Sequence, residues 1–485
     1  MYGKGLLGYL PANILQGVVG FATLTVFTRI LSPDDYGRYA LAFGAASLAQ
    51  TTFFVWLEAS MARFYPAEGR IDPEAPFLFG TLYRLHMMVI ALFAVLCLAG
   101  LLLWPGHGPL KMAIGLSLGC VVFRSLAKLV QEQRRSEGRV GQASLIDMAQ
   151  TLGGFVIGVG CALAGVGGAS PVIGIGITAL LLLPFIARQD WGRAIKGRFD
   201  PERARQYAHY GFPVSASLIL TLGLYTVDRF MIAHYLDDGQ AGAYHAGFSL
   251  ASRILDVLFV WFGAAGTPAM VNALEHGGEA ALKANARKQL TTMAFVLFPA
   301  VGGLIMVAPS LGGMMIGDGL RDKALLVTPL ISIGALFSGL NTYYFLQAFT
   351  LARKTRLLIV AMAVPAVANI ALNVVLIPSM GLIGAAWASA LSFALGLAAA
   401  WILGYRALPL PLPVPVWDLV RIGAATLAMI AALIVLPSWG GIAEAVLKSV
   451  TGAAVYGALA WILNLNDIRA VADATLIHLR RKVSV

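Results

Sequence analysis

The chain has 485 residues, 59% hydrophobic and only 12% charged, with a mean hydropathy of +0.78 and a net charge of +11. Soluble proteins carry about a quarter charged residues, so a water-soluble globule is excluded. The positive charge follows the loops between apolar stretches, which argues against a nucleic-acid partner.

A helix needs ~20 mostly apolar residues to cross a bilayer. Fourteen stretches meet that length: 7–30, 38–60, 79–103, 110–131, 141–164, 169–187, 211–234, 243–271, 290–316, 324–350, 357–377, 381–404, 417–437 and 442–463. Strand-like alternation is absent, so the chain is expected to be an all-α membrane protein rather than a barrel. The first stretch is long enough to span and shows no small-residue cleavage site, so it is expected to stay as a helix. Cys97, Cys120 and Cys161 lie inside apolar runs, with no histidine or cysteine at ligand spacing. Neither a disulfide framework nor a metal or other cofactor is expected.

Charged residues inside the spans ask for partners, because each costs roughly 2.5–3.5 kcal/mol at a span centre. In chain order, Arg29 closes span 1, and Glu58 and Arg63 lie at the far end of span 2 as a gate pair or as interfacial residues. Arg124 and Asp147 are equidistant from a turn near Arg135-Ser136, which suggests an ion pair within the first half. Asp228 and Arg253 are similarly placed about a turn near Gln240-Ala241, with Asp256 one turn beyond Arg253. Arg253 is expected about ten residues into span 8, ~15 Å from its start and near the midplane. There it either offers forked hydrogen bonds to an anionic headgroup or is neutralised by Asp228. Arg29 and Arg229 occupy matching positions, as a cationic rim or as snorkelling side chains. Asn341 and Tyr343-Tyr344 are placed for stacking on sugars or for polar packing between helices.

Lysine and arginine sort by loop. Alternate loops carry 25 of them on one side, from Lys4 through Arg134, Arg203 and Arg353 to Lys482, against six on the other. That asymmetry puts both termini in the cytoplasm.

Two segments punctuate the chain. Ala187 to Tyr210, with six basic residues and Trp191, reads as an interfacial linker helix with Asp200-Pro201 at a helix start. Leu408 to Val416, with alternating prolines, reads as an extended spacer.

The chain also repeats itself. Gly37-Arg38-Tyr39-Ala40, with Phe43 and Ser47, aligns with Gly242-Ala243-Tyr244-His245, with Phe248 and Ser252. Thr28-Arg29 aligns with Asp228-Arg229, and Gly165 to Ala169 with Gly381 to Ala385. Six spans per copy keep both copies in one orientation, related by an axis along the membrane normal. The expected organisation is an N-lobe with its linker at 1–199, a C-lobe at 200–406, and at 407–485 the proline-rich spacer, two further spans and a basic tail.

Arg29 followed by Ser32-Pro33-Asp34-Asp35-Tyr36-Gly37-Arg38-Tyr39 resembles the first-loop pattern of the polysaccharide transporter family. That family belongs to the superfamily of multidrug, oligosaccharidyl-lipid and polysaccharide exporters. Asp228-Arg229 with Gly242 and Tyr244 resembles its seventh-span pattern. Lys354-Thr355, Asn369, Asn373, Ile377-Pro378 and Gly381 to Ala385 resemble a third. The resemblance implies a two-lobed flippase of the bacterial inner membrane. It would carry polyprenyl-diphosphate-linked oligosaccharides by alternating access, for lipopolysaccharide, exopolysaccharide or capsule, beside polymerase and export proteins and membrane lipids. The candidate substrate residues on that reading are Arg253, Asp228, Asp256, Arg29, Arg229, Glu58 and Arg63.

Two relatives in the superfamily remain as alternatives. A lipid II flippase would be expected to show a basic pair in span 1, where this chain has Asn13, Gln16 and Arg29. A cation-coupled multidrug exporter would need deep acidic residues in the first lobe, where Asp147 is the candidate. The short loop bearing Asp34-Asp35 leaves no room for an enzymatic site, so an enzyme is not expected.

Overall fold

The computed structural model describes residues 2–72, 75–105 and 108–470; the basic tail beyond residue 470, with Arg480, Arg481 and Lys482, lies outside the described residues, as do the side chains of Lys4 and Arg70. Among the described residues there is no strand.

The helices follow in chain order. They are α1 (Tyr2–Ile30), α2 (Pro33–Phe53), α3 (Val55–Ile71), α4 (Pro76–Leu103), α5 (Pro109–Ser136), α6 (Val140–Leu163), α7 (Ser170–Ile186) and α8 (Arg188–Lys196). They continue with α9 (Pro201–Tyr235), α10 (Asp238–Met315), α11 (Asp318–Leu340), α12 (Leu346–Leu351), α13 (Thr355–Met380), α14 (Leu382–Ala407), α15 (Val416–Ile434) and α16 (Gly441–Ile462). A π-helical turn, Asn341–Phe345, joins α11 to α12.

Twelve of the described helical segments are long and apolar enough to cross a membrane, and the α2–α3 pair, bent by 46°, makes a thirteenth. The 78-residue α10 accounts for one more. Gly278 leaves the helical region at φ 68°, which a glycine adopts without cost. On either side of it, Gly266 lies against the Gln289 side chain, which a straight 23-residue separation of ~35 Å forbids. The helix therefore folds back on itself, and the fourteen expected crossings are recovered only by reading α10 as two of them.

Local sequence explains the ends. Ser32 caps α2, accepting from the Asp35 amide at 3.1 Å with Pro33 in the first turn. Asp200 caps α9 in the same way, through the amides of Glu202 at 2.9 Å and Arg203 at 3.3 Å. The expected linker helix is corrected here. The short α8 is a separate helix, and 201–210 forms the first turns of α9, which starts at the Asp200 cap and runs on through Pro213 to Tyr235. Gly165 and Gly381, matched in the repeat, both take positive φ (81° and 63°) where α6 and α13 end.

The chain forms two compact units, Met1–His245 and Ala246–Val485. In the first, α9 packs against α2 and α3, and Trp56, Leu57, Met61, Phe79, Tyr83 and Tyr207 form a buried core. On α8, Asp190 is fully buried beside Arg134 (3.4 Å) and Arg193 (4.0 Å). Burial pushes its carboxyl up to about 6 against the pull of both guanidinium groups. In the second unit, α15 and α16 pack on the later half of α10 through Ala294, Ile422, Met429, Tyr456 and Ala460. Tyr456 donates to the Phe295 carbonyl at 2.9 Å. The proline-rich spacer does not hang free: the buried Tyr344 hydroxyl donates to the Pro413 carbonyl at 2.5 Å.

Candidate functional site

Three polar groupings lie within the apolar body. The first unites motif residues from the two ends of the first unit, Arg29 to Tyr39 and Asp228 to His245. The start of α2 meets the start of α10 at Gly37 and Gly242. A Cβ on Gly37 would fall 1.7 Å from the Asp238 carbonyl oxygen, and one on Gly242 would fall 2.8 Å from the Gly37 nitrogen. Arg38 bridges the two helices, 3.0 Å from Asp35 and 3.1 Å from Asp238. Behind this contact the Tyr36 and Tyr39 rings each lie 5.8 Å from the His245 ring. Tyr244 donates to Asp228 Oδ2 at 2.8 Å. Arg229, 6% exposed, sits in the field of Tyr244, Asp228, Tyr36 and Tyr39. Arg29 is exposed and donates to the Thr25 carbonyl at 2.8 Å. The matched arginines thus differ: one is exposed, the other is enclosed by tyrosines.

The second grouping runs through the interior of the first unit. Asp147 accepts from Lys128 Nζ at 3.2 Å and from the Gln16 amide, and Lys128 also donates to Gln131 at 2.8 Å. The expected Arg124–Asp147 pair is thereby corrected by one helical turn. Helix α5 ends at Ser136 and α6 starts at Val140, so the turn centres near Gly138 and the residue level with Asp147 is Leu129, next to Lys128. Arg124 still feels the charge of Asp147, and more strongly that of Glu58. Glu58 accepts from Gln50 at 2.5 Å across the bend between α2 and α3, while Arg63 is exposed.

This exchange of partners makes a prediction. Lys128→Leu or Asp147→Leu alone strands a charge in low dielectric. Because the Lys128 side chain is 30% exposed, each loss should cost about 2 kcal/mol, below the 3–5 of a fully buried pair. Folded yield from membranes should fall in each single variant and recover in the double variant. Recovery when Asp147→Leu is combined with Arg124→Leu instead would restore the original pairing.

The third grouping belongs to the second unit. Arg253 and Asp256 stand one turn apart on α10, which starts at Asp238. Arg253 is therefore fifteen residues, ~22 Å, along its helix rather than ten. Its Nε is buried with no hydrogen-bond partner. Phe259, one turn further, stacks on Tyr343 with ring centroids 5.9 Å apart and planes 11° from parallel. Tyr343 lies within the field of Asp256, and its carbonyl accepts from Gln289 at 3.2 Å. Asn341 Oδ1 is buried and unpartnered. The π-helical turn sends Tyr343 toward α10 while Tyr344 anchors on Pro413. Such turns are rare and gather at functional sites. The third grouping thus offers an uncommitted arginine donor, a carboxylate and an aromatic face on one side of a span.

The sequence reading did not single out Glu444 and Lys448. Their 2.5 Å ion pair in α16 is almost fully buried, with 2% and 5% side-chain exposure. Their (i, i+4) spacing was the available signal.

Comparison with known proteins follows from this architecture. No curated protein sequence matches the chain. The structure of "Lipid II flippase MurJ, inward closed conformation" superposes with a TM-score of 0.75 at 15% identity, covering 95% of this chain and 99% of that one. An inward-facing multidrug resistance MATE family transporter of the MOP superfamily gives 0.61 at 14% identity, covering 87% and 96%. MATE multidrug transporter DinF-BH gives 0.52 at 14% identity, covering 83% and 94%. At these identities the likeness shows a shared fold. The sequence itself matches the family described as "Polysaccharide biosynthesis protein" over residues 26–324. The chain belongs to that polysaccharide biosynthesis protein family, built on the helical membrane fold that MurJ and the MATE transporters share.

Proposed function

We propose that the protein is a flippase that carries polyprenyl-diphosphate-linked oligosaccharide units from the cytoplasmic to the periplasmic leaflet of a bacterial inner membrane. The units would feed the synthesis of a surface polysaccharide. The observation that carries the reading is Arg253, half-buried with its Nε buried and uncommitted, beside Asp256 and the Phe259–Tyr343 stack. A diphosphate takes forked hydrogen bonds from arginine, and a sugar ring stacks on an aromatic face. Membership of a polysaccharide biosynthesis family gives the substrate class its support.

On this reading Asp228 holds Tyr244, and through it the tyrosine enclosure of Arg229. Arg38–Asp238 and the Gly37–Gly242 contact close the end of the path opposite the basic loops. Both termini then lie in the cytoplasm, and the polymerase and export proteins would take the unit after it crosses. Glu58, Arg63 and Arg29 serve as gate or rim residues.

Deleting the gene tests the reading directly. Lipid-linked oligosaccharides should accumulate in the cytoplasmic leaflet, with surface polysaccharide lost and the lipid-linked pool restored by the intact chain. Unchanged lipid-linked pools would remove the proposal.

A further inference from the structure

We infer that the second unit holds a binding site for the phosphate of an anionic phospholipid headgroup, at its lysine- and arginine-rich end and apart from Arg253. A cavity of about 600 Å³ opens where the later half of α10, the start of α15 and the turn after α16 converge. Its cations are Arg287, Lys288 and Arg421, and its carboxylates are Asp418 and Asp467. Arg287 is committed to Asp418 at 3.1 Å, and Asp467 is exposed at the rim. Lys288 is exposed and has no carboxylate partner among the described residues. Arg421 spends one guanidinium nitrogen on the Leu463 carbonyl. Lys288 and the remaining donors of Arg421 are therefore available to an anion.

The surroundings favour a lipid as the source of that anion. On α15, Asp418 and Arg421 line the cavity, while Val416, Trp417 and Val420 on the neighbouring positions are 60%, 72% and 54% exposed. Tryptophan at a helix end marks the headgroup level of a bilayer. A second cavity of about 640 Å³, lined by Trp401, Ile402 and Tyr405 among others, shares α10 (Lys283) and the start of α15 (Val416). A polar compartment beside an aromatic one matches a molecule with a charged head and apolar chains. Basic pockets between spans on the cytoplasmic side hold anionic headgroups for the same reason.

The test is native mass spectrometry of the full-length protein. It is titrated with dioleoyl phosphatidylglycerol, with phosphatidylcholine bearing the same chains, and with inorganic phosphate as competitor. Phosphatidylglycerol should bind at least fivefold more tightly than phosphatidylcholine. A cation at the surface contributes roughly a fivefold gain in affinity. Lys288→Gln should therefore weaken phosphatidylglycerol about fivefold and Lys288→Gln with Arg421→Gln about 25-fold, whereas Lys354→Gln leaves it unchanged. Arg421 also supports the turn after α16, so if the double variant fails to fold, the exposed Lys288→Gln alone decides. Equal affinity for the two lipids, or no effect of Lys288→Gln, overturns the site. Displacement of phosphatidylglycerol by millimolar phosphate assigns the cavity to a soluble anion and overturns the lipid.

Discussion

Gly37→Ala is expected to lower transport at least tenfold while leaving half or more of the protein in the membrane. The added Cβ would fall 1.7 Å from the Asp238 carbonyl oxygen and 2.4 Å from its carbon, where only backbone is present to yield. Gly242 on the other side is no more forgiving, since its own neighbours are the Gly37 backbone and the Pro33 carbonyl. Overpacking of this kind costs about 1–3 kcal/mol. That cost falls only on the conformation in which α2 and α10 touch, so its population drops by roughly 5- to 150-fold against a state with this end open. Gly160→Ala, whose Cβ meets nothing within 4 Å, is the control and should behave as the unaltered protein. Normal transport by Gly37→Ala would show that the contact has no part in the cycle. Loss of the protein itself would make the contact structural.

Arg253→Ala is expected to abolish flipping, at least a hundredfold, with membrane abundance near normal and lipid-linked units accumulating inside. A charged hydrogen bond contributes about 1.5–3 kcal/mol, and a forked guanidinium makes two. Arg253→Lys keeps the charge without the planar fork, so it should retain roughly a tenth of the activity. The uncommitted Nε argues for this outcome, because a purely structural arginine would have its donors engaged. Depletion of both variants from the membrane, with transport per molecule unchanged, would return Arg253 to a structural role.

The spans were legible because a bilayer imposes length and hydropathy on a sequence. Gly37 and Gly242, with Tyr39 and Tyr244, stood out as matched positions of a repeat, but their contact did not, because equivalence in a repeat says nothing of proximity. Partners were less legible than positions. Asp147 was assigned to Arg124 because the turn was placed two to three residues early, and one turn of helix separates Arg124 from Lys128. Asp228 proved to hold Tyr244 at 2.8 Å, a contact that charge matching does not look for. The turn at Asn341–Phe345 was invisible, because no residue pattern distinguishes a π-helical turn from the α-helix around it. Only its consequence showed, as two adjacent tyrosines that serve different partners, Phe259 for Tyr343 and Pro413 for Tyr344.

Closing the α2–α10 contact covalently tests alternation most directly. A Cβ on Gly239 lies 3.6 Å from that of Pro33, within the ~3.5–4.5 Å that a disulfide requires. With Cys97, Cys120 and Cys161 replaced by serine, Pro33→Cys and Gly239→Cys are introduced together, and delivery of lipid-linked oligosaccharide is measured in oxidised and reduced vesicles. The account predicts that the disulfide forms, that delivery falls to background, and that a reductant restores it. Fully cross-linked protein that delivers at the reduced rate would contradict it.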